Sequence, residues 1–221
     1  MNRRHVLLSS AALIAAGGYV LTRPSGTNAV DLPGAAHAQD LDIDTSGIME
    51  MQLGNPDAPV TVIEYASYTC PHCARFHEGA FKQLKADYID TGKINFIYRE
   101  VYFDRFGLWA SMIARCGENQ QRFFGITEII YELQSEWSRA GSPPQIADEL
   151  RKIGRLAGIE NDALEACLQD QEMAQTLVAW YQQNSIEHGI QSTPSFVING
   201  RTYTNMAYDE FSSLIDEAMG S

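Results

Sequence analysis

The chain has 221 residues, 45% of them hydrophobic, with 28 acidic against 16 basic side chains and a formal net charge of −12. That length buries a sizeable core as one domain, or as one domain carrying a large insertion. The charge argues against nucleic acid or an anionic membrane surface as partner, because both demand neutralising cations.

Arg3 and Arg4 precede an apolar segment, residues 6–21, rich in small side chains, which is the layout of a secretory signal. The segment is shorter than the roughly 20 residues that a spanning helix needs. Residues 1–38 therefore read as a signal peptide, with Ala36-His37-Ala38 as its cleavage site ahead of Gln39. An uncleaved membrane anchor is the alternative, and the only membrane contact expected. The arginine pair loosely resembles a twin-arginine signal, but Val6 stands in place of the usual Phe, so ordinary unfolded export is the preferred route. An exported chain meets an oxidising compartment, where its four cysteines form disulfides.

Residues 22–47, with Pro24, Gly26, Pro33, Gly34 and Gly47, lack sustained periodicity, and residues 39–55 are read as a lead-in to the folded part. The turn cluster Asn55-Pro56-Asp57-Ala58-Pro59 opens the first strand, residues 60–66. Cys70 and Cys73 follow at a helix start: Pro71 suits the first helical turn, and Phe76, Ala80, Phe81, Leu84 and Tyr88 recur behind it at helical spacing. Thr91-Gly92-Lys93 ends that helix, and residues 94–98 alternate as a strand, completing a β-α-β unit with parallel strands. From about residue 105 to 188 the pattern becomes helical throughout, over 108–116, 119–137, 145–156, 161–168 and 173–186. Strand character returns at residues 195–198, Asn199-Gly200 is a hairpin turn, residues 201–204 are its partner strand, and residues 209–219 close the chain as a helix.

The chemistry lies at the first strand-to-helix junction. Orphan N–H groups and the helix dipole favour a negative sulfur at Cys70, and His72 can add a hydrogen bond or partial positive charge. A cysteine so placed drops from a pKa of about 8.5 to roughly 3.5–7.5, and a five-unit drop corresponds to about 7 kcal/mol. Cys70 is the candidate nucleophile and Cys73 its resolving partner. Of the three pairings that four cysteines allow, spacing favours Cys70–Cys73 and Cys116–Cys167. The C-x-x-C pair can instead be half of a zinc site or a purely structural bridge, but Cys116 and Cys167 stand singly in separate predicted helices, so no metal and no cofactor is expected. Cys116 and Cys167 can also be ordinary buried small residues. The aromatic residues Phe123, Phe124, Tyr131, Trp137, Trp180 and Tyr181 read as core, and His77 and His188 as surface or helix residues without a role.

Glu64-Tyr65 leading to Cys70-Pro71-His72-Cys73, the helical block, and Gly189 through Thr193-Pro194-Ser195-Phe196 to Gly200 together resemble the DsbA-type periplasmic thiol:disulfide oxidoreductases. The resemblance covers about residues 48–219. It implies an α/β thioredoxin fold with a mixed central sheet, with residues 56–104 and 189–221 as the thioredoxin-fold domain and residues 105–188 as an inserted helical domain. It further implies that Cys70 is the exposed attacking sulfur and Cys73 the buried one. Pro194 becomes a cis-proline facing the disulfide, although from residues alone most X-Pro bonds are trans. Thr193, with Pro194 and Pro71, would then meet an extended substrate segment by strand addition. Glu64 matches the family's buried acid, which assists proton transfer at Cys73; by alternation alone it can equally be an outward-facing strand residue. A Cys116–Cys167 bond bracing the insertion also has counterparts among relatives.

The implied activity is oxidation of reduced, cysteine-containing exported proteins, with reoxidation by a membrane oxidase of the DsbB type. Two rivals stand beside it. Thr193 before the proline also fits a disulfide isomerase or reductase, since the best-known DsbA proteins carry Val there. A non-catalytic thioredoxin-like chaperone would bind unfolded chains without needing either cysteine. A glutathione-dependent enzyme is a more distant third.

Overall fold

The computed structural model describes residues 43–117 and 119–220. The expected signal peptide, residues 1–38, and its expected cleavage at Ala38 lie outside the described residues. A five-stranded mixed sheet has strand order β1-β3-β2-β4-β5, formed by β1 (Met51–Gly54), β2 (Val60–Ala66), β3 (Ile94–Glu100), β4 (Ser195–Ile198) and β5 (Arg201–Thr204). β2 and β3 run parallel, joined by a helical crossover, while β1, β4 and β5 each pair antiparallel with their neighbours.

The lead-in proves in part to be sheet: β1 pairs with β3 over Met51↔Tyr98 to Gly54↔Asn95. A strand of four residues is too short to show period-two alternation. Gly54, at φ +88°, ends it where an added Cβ would meet the carbonyl oxygen of Ile94. Residues just ahead of it are also held, by Glu50 against Arg99 at 3.1 Å and by the Met49 carbonyl, which accepts from Arg115 at 3.1 Å.

Behind β2, the expected single helix is three pieces: α1 (Pro71–Glu78), α2 (Ala80–Leu84) and a π-helical turn at Lys85–Ile89. Gly79, at φ −123° and ψ −87°, breaks the first junction. The helical block comprises α3 (Arg105–Arg115), α4 (Gln120–Glu132), α5 (Gln134–Trp137), α6 (Pro143–Leu156), α7 (Asn161–Gln169) and α8 (Gln171–Glu187), and α9 (Tyr208–Gly220) ends the described chain. α3 starts earlier than its apolar spacing indicates because the Asp104 carboxylate caps it, accepting from Phe106 N and Gly107 N. Between β4 and β5, Asn199 (φ 43°) and Gly200 (φ 83°) both adopt the left-handed backbone of the tightest hairpins.

One core runs from sheet to insertion. Val60, Val62, Ile94 and Phe96 belong to the same buried cluster as Ile113, Phe123, Ile130 and Leu150, so the inserted helices are built on the sheet rather than around a core of their own. On the opposite face Ile63, Tyr65 and Val197 pack with Tyr181 of α8. β2 is thus covered on both sides and buried almost end to end. Glu64 falls on the face of Val60, Val62 and Ala66, the face that α1 covers.

Candidate active site

The dithiol is placed by the junction after β2. Cys70 is the N-cap of α1, with extended backbone, and Pro71 fills the first helical position. The preceding turn is closed by Cys70 N donating to Ser67 O at 3.0 Å. Two further ties hold it: Thr69 Oγ1 donates to Asp104 Oδ2 at 2.9 Å, and the buried amide of Gln134 donates to the carbonyls of Tyr68 at 2.8 Å and Cys70 at 3.0 Å. Gln134 sits on α5, just after the helix interruption at Leu133. No breaker marks that interruption in the sequence, and Gln134 had no visible reason to be singled out.

The two sulfurs differ in environment. Cys70 retains 9% of its surface and Cys73 none. The resemblance implied an open attacking sulfur, yet Cys70 is largely covered, with the carbonyl oxygen of Thr193 lying 3.4 Å from its Sγ. Both thiols are free. The Cys70 thiol is pulled down from 9.0 to about 5, first by a hydrogen bond from the Cys73 thiol. Burial opposes this; the Thr193 side chain and the backbone N–H groups of Cys73 and His72 add to it. Cys73 is pushed far up, chiefly by burial, and further by the hydrogen bond to Cys70 and the negative charge of Glu64. At neutral pH the pair therefore holds one anion, on the sulfur nearer to solvent.

His72 acts differently from the sequence expectation. Its imidazole is turned to Arg75, Nδ1 lying 2.7 Å from Nη2, and what it offers the sulfur is its backbone N–H. The Thr193–Pro194 peptide bond is cis, and the buried Thr193 hydroxyl has no nitrogen or oxygen partner. Cys116 and Cys167 are joined in a disulfide with Cα atoms 5.9 Å apart, bracing α3 against α7. Among the described residues, no group of three His, Cys, Asp or Glu is placed to hold a metal ion, and no helix is long and apolar enough to cross a membrane.

Glu64 is wholly buried in mid-sheet, opposite Tyr98 on β3 and Phe196 on β4. Its partner is a residue that sequence reading left on the surface. His77 is 7% exposed, and its Nε2 lies 3.0 and 3.2 Å from the two carboxylate oxygens. The available signal was the i, i+4 spacing of Cys73 and His77 on α1, which puts both on one helix face. Tyr131 stacks on the His77 ring at 4.3 Å and donates or accepts a 2.7 Å bond with Tyr98.

A helix N-terminal dithiol facing a cis-proline loop on a mixed sheet defines a thioredoxin-type protein, and the chain belongs to the Thioredoxin family, whose profile matches residues 46–217. The crystal structure of alpha-DsbA1 from Wolbachia pipientis is similar at a TM-score of 0.72 and 30% identity, over 77% of this chain and 91% of that one. Within the family the chain is DsbA-like. Disulfide bond formation protein D of Bacillus subtilis is 29% identical over 76% of each chain. A Rickettsia bellii protein provisionally named a protein-disulfide oxidoreductase is 36% identical over 77% of this chain and 64% of its own length. The chain thus spans just under two thirds of the Rickettsia relative.

Proposed function

We propose that the protein oxidises pairs of thiols in exported proteins by exchange at Cys70–Cys73. One observation carries the reading: the only stabilised anion of the pair sits on Cys70, the N-cap of α1, where the Cys73 thiol and the backbone N–H groups of His72 and Cys73 reach it. A substrate thiolate attacks Cys70 Sγ of the bridged form, making a mixed disulfide while Cys73 leaves with the bond's electron pair and takes up a proton. The second substrate thiolate attacks the substrate sulfur of that mixed disulfide, and Cys70 departs as its stable thiolate. The substrate gains a disulfide and the protein is left as the dithiol. A leaving sulfur of low pKa departs faster, and stabilising the thiolate stabilises the reduced protein, so electrons flow toward it.

Thr193, Pro194 and Pro71 border the sulfur and offer backbone for an extended substrate segment to pair with. Glu64 receives or supplies the Cys73 proton. A membrane oxidase of the DsbB type, by analogy with the family, returns the dithiol to the disulfide. Residues 1–38 direct the chain to the periplasm by the ordinary export route.

Equilibration of Cys70–Cys73 with glutathione tests the reading. We expect a potential on the oxidising side of about −200 mV, toward the roughly −120 mV of a strong oxidant. A value near the roughly −270 mV of thioredoxin would overturn it in favour of a reductant. Binding of unfolded chains that survives Cys70→Ser and Cys73→Ser with full biological function would instead make the protein a chaperone.

A further inference from the structure

From the placement of His77 between buried Glu64 and a solvent-open cavity, we infer that His77 is a positioning residue that relays the Cys73 proton out of the fold. The inference rests on the oxidoreductase reading above and extends it to the route by which the proton travels. Cys73 has no accessible surface, so water cannot take or return its proton directly. Glu64, the acid whose charge bears on Cys73, has none either. Beyond it His77 bonds both carboxylate oxygens and also lines a cavity of about 1160 Å³ between β1, α1, α2 and α4. Neither Cys70, His72, Thr193 nor Pro194 belongs to the wall of that cavity. The proton thus has an exit separate from the mouth through which a substrate reaches Cys70.

The step in which Cys73 closes the disulfide begins with the loss of its proton. Cys73 gives its proton to a Glu64 oxygen; the proton shared between Glu64 and His77 settles on the imidazole, and the ring releases one to cavity water. The freed electron pair on Cys73 attacks Cys70 Sγ in a mixed disulfide, a new S–S bond forms, and the bound partner thiolate leaves. The reverse sequence reprotonates Cys73 when it departs. Tyr131 and Tyr98, packed against the ring, are buried phenols held well above their ordinary pKa, so they remain neutral and confine the exchange to the carboxylate and the imidazole. The charged groups on the cavity wall are Glu78, Lys82, Lys85, Glu128 and Glu132, of which Lys85 is paired with Asp90.

Rapid mixing of the reduced full chain with excess oxidised glutathione separates the steps. At low glutathione the rate is second order and reports attack by Cys70; at saturation it reaches a first-order plateau set by Cys73. His77→Ala should lower the plateau about 100-fold, the scale of general acid–base assistance, with added imidazole restoring it in proportion to concentration through the open cavity. His77→Gln, which keeps a donor to Glu64 but carries no proton onward, should be equally slow, with a flattened pH profile of the plateau and unchanged thermal stability. A wild-type plateau in either variant overturns the relay. So does a slow His77→Ala that imidazole leaves unchanged, which would make the ring a packing residue. This half-reaction is measurable whatever the physiological direction: if the wild-type chain fails to oxidise a dithiol peptide, the functional reading falls while the relay is still decided by the plateau.

Discussion

Lowering the pH should remove the extra stability of the reduced protein over the oxidised one. The folded Cys70 thiol titrates at about 5 and an unfolded cysteine at about 8.5. A group whose folded pKa is depressed contributes stability that is complete above the unfolded value and lost as the pH falls through the folded one. At pH 7 the folded sulfur is a thiolate while the unfolded one still holds its proton, a difference of about two powers of ten, or about 3 kcal/mol. At pH 5 little of that remains, and at pH 4 nearly nothing. Cys73 has the opposite sign: pushed up in the fold, it costs stability only above about pH 8.5, where the unfolded chain begins to lose a proton that the folded chain keeps. The gap between reduced and oxidised forms should therefore climb from pH 4 to about 8 and then bend over. The bridged form has neither thiol in either state, so every other titrating group cancels in the comparison. Urea unfolding of the two forms at a series of pH values measures it, with reduced Cys70→Ala as a control that should lose the slope. Parallel pH curves for the two redox forms would refute the stabilised thiolate, and with it the reason for electrons to flow toward this protein.

Three other perturbations follow from named contacts. Thr193→Val removes the hydroxyl that helps lower the Cys70 thiol, so absorbance of the thiolate should titrate less acid, and the redox equilibrium should move toward the reductant side. Gln134→Ala strips the 2.8 Å bond from the Tyr68 carbonyl, leaving a buried acceptor without that donor. About 1–3 kcal/mol of stability should be lost in both redox forms alike, since denaturation reads the turn rather than the sulfur. Replacing Cys116 and Cys167 together by Ala opens a loop with a sequence separation of 51 and should cost about 4 kcal/mol by the chain-entropy estimate, with the Cys70 titration unmoved.

What the sequence displayed and what it concealed divide along a physical line. Cys70, Pro71, Cys73, Asn199 and Gly200 announce themselves because their chemistry is local: a proline at a first turn, a left-handed pair at a hairpin, a thiol at a helix end. β1 was hidden by its brevity, and the break at Leu133 by a sequence with no glycine or proline to explain it. Glu64 could be read two ways because alternation specifies which residues share a face, and says nothing about whether helices cover that face. Once both faces of β2 are covered, the question becomes how a buried carboxylate is satisfied. A carboxylate taken out of water needs a partner with a hydrogen to donate, and the residue able to reach it from α1 is the one a single turn beyond Cys73. His77 was therefore legible in combination with Glu64, though in isolation it reads as another helix residue. The burial that made the acid ambiguous also seals Cys73 from water, so the packing that creates the difference between the two sulfurs is also what gives the proposed route through Glu64 and His77 its purpose.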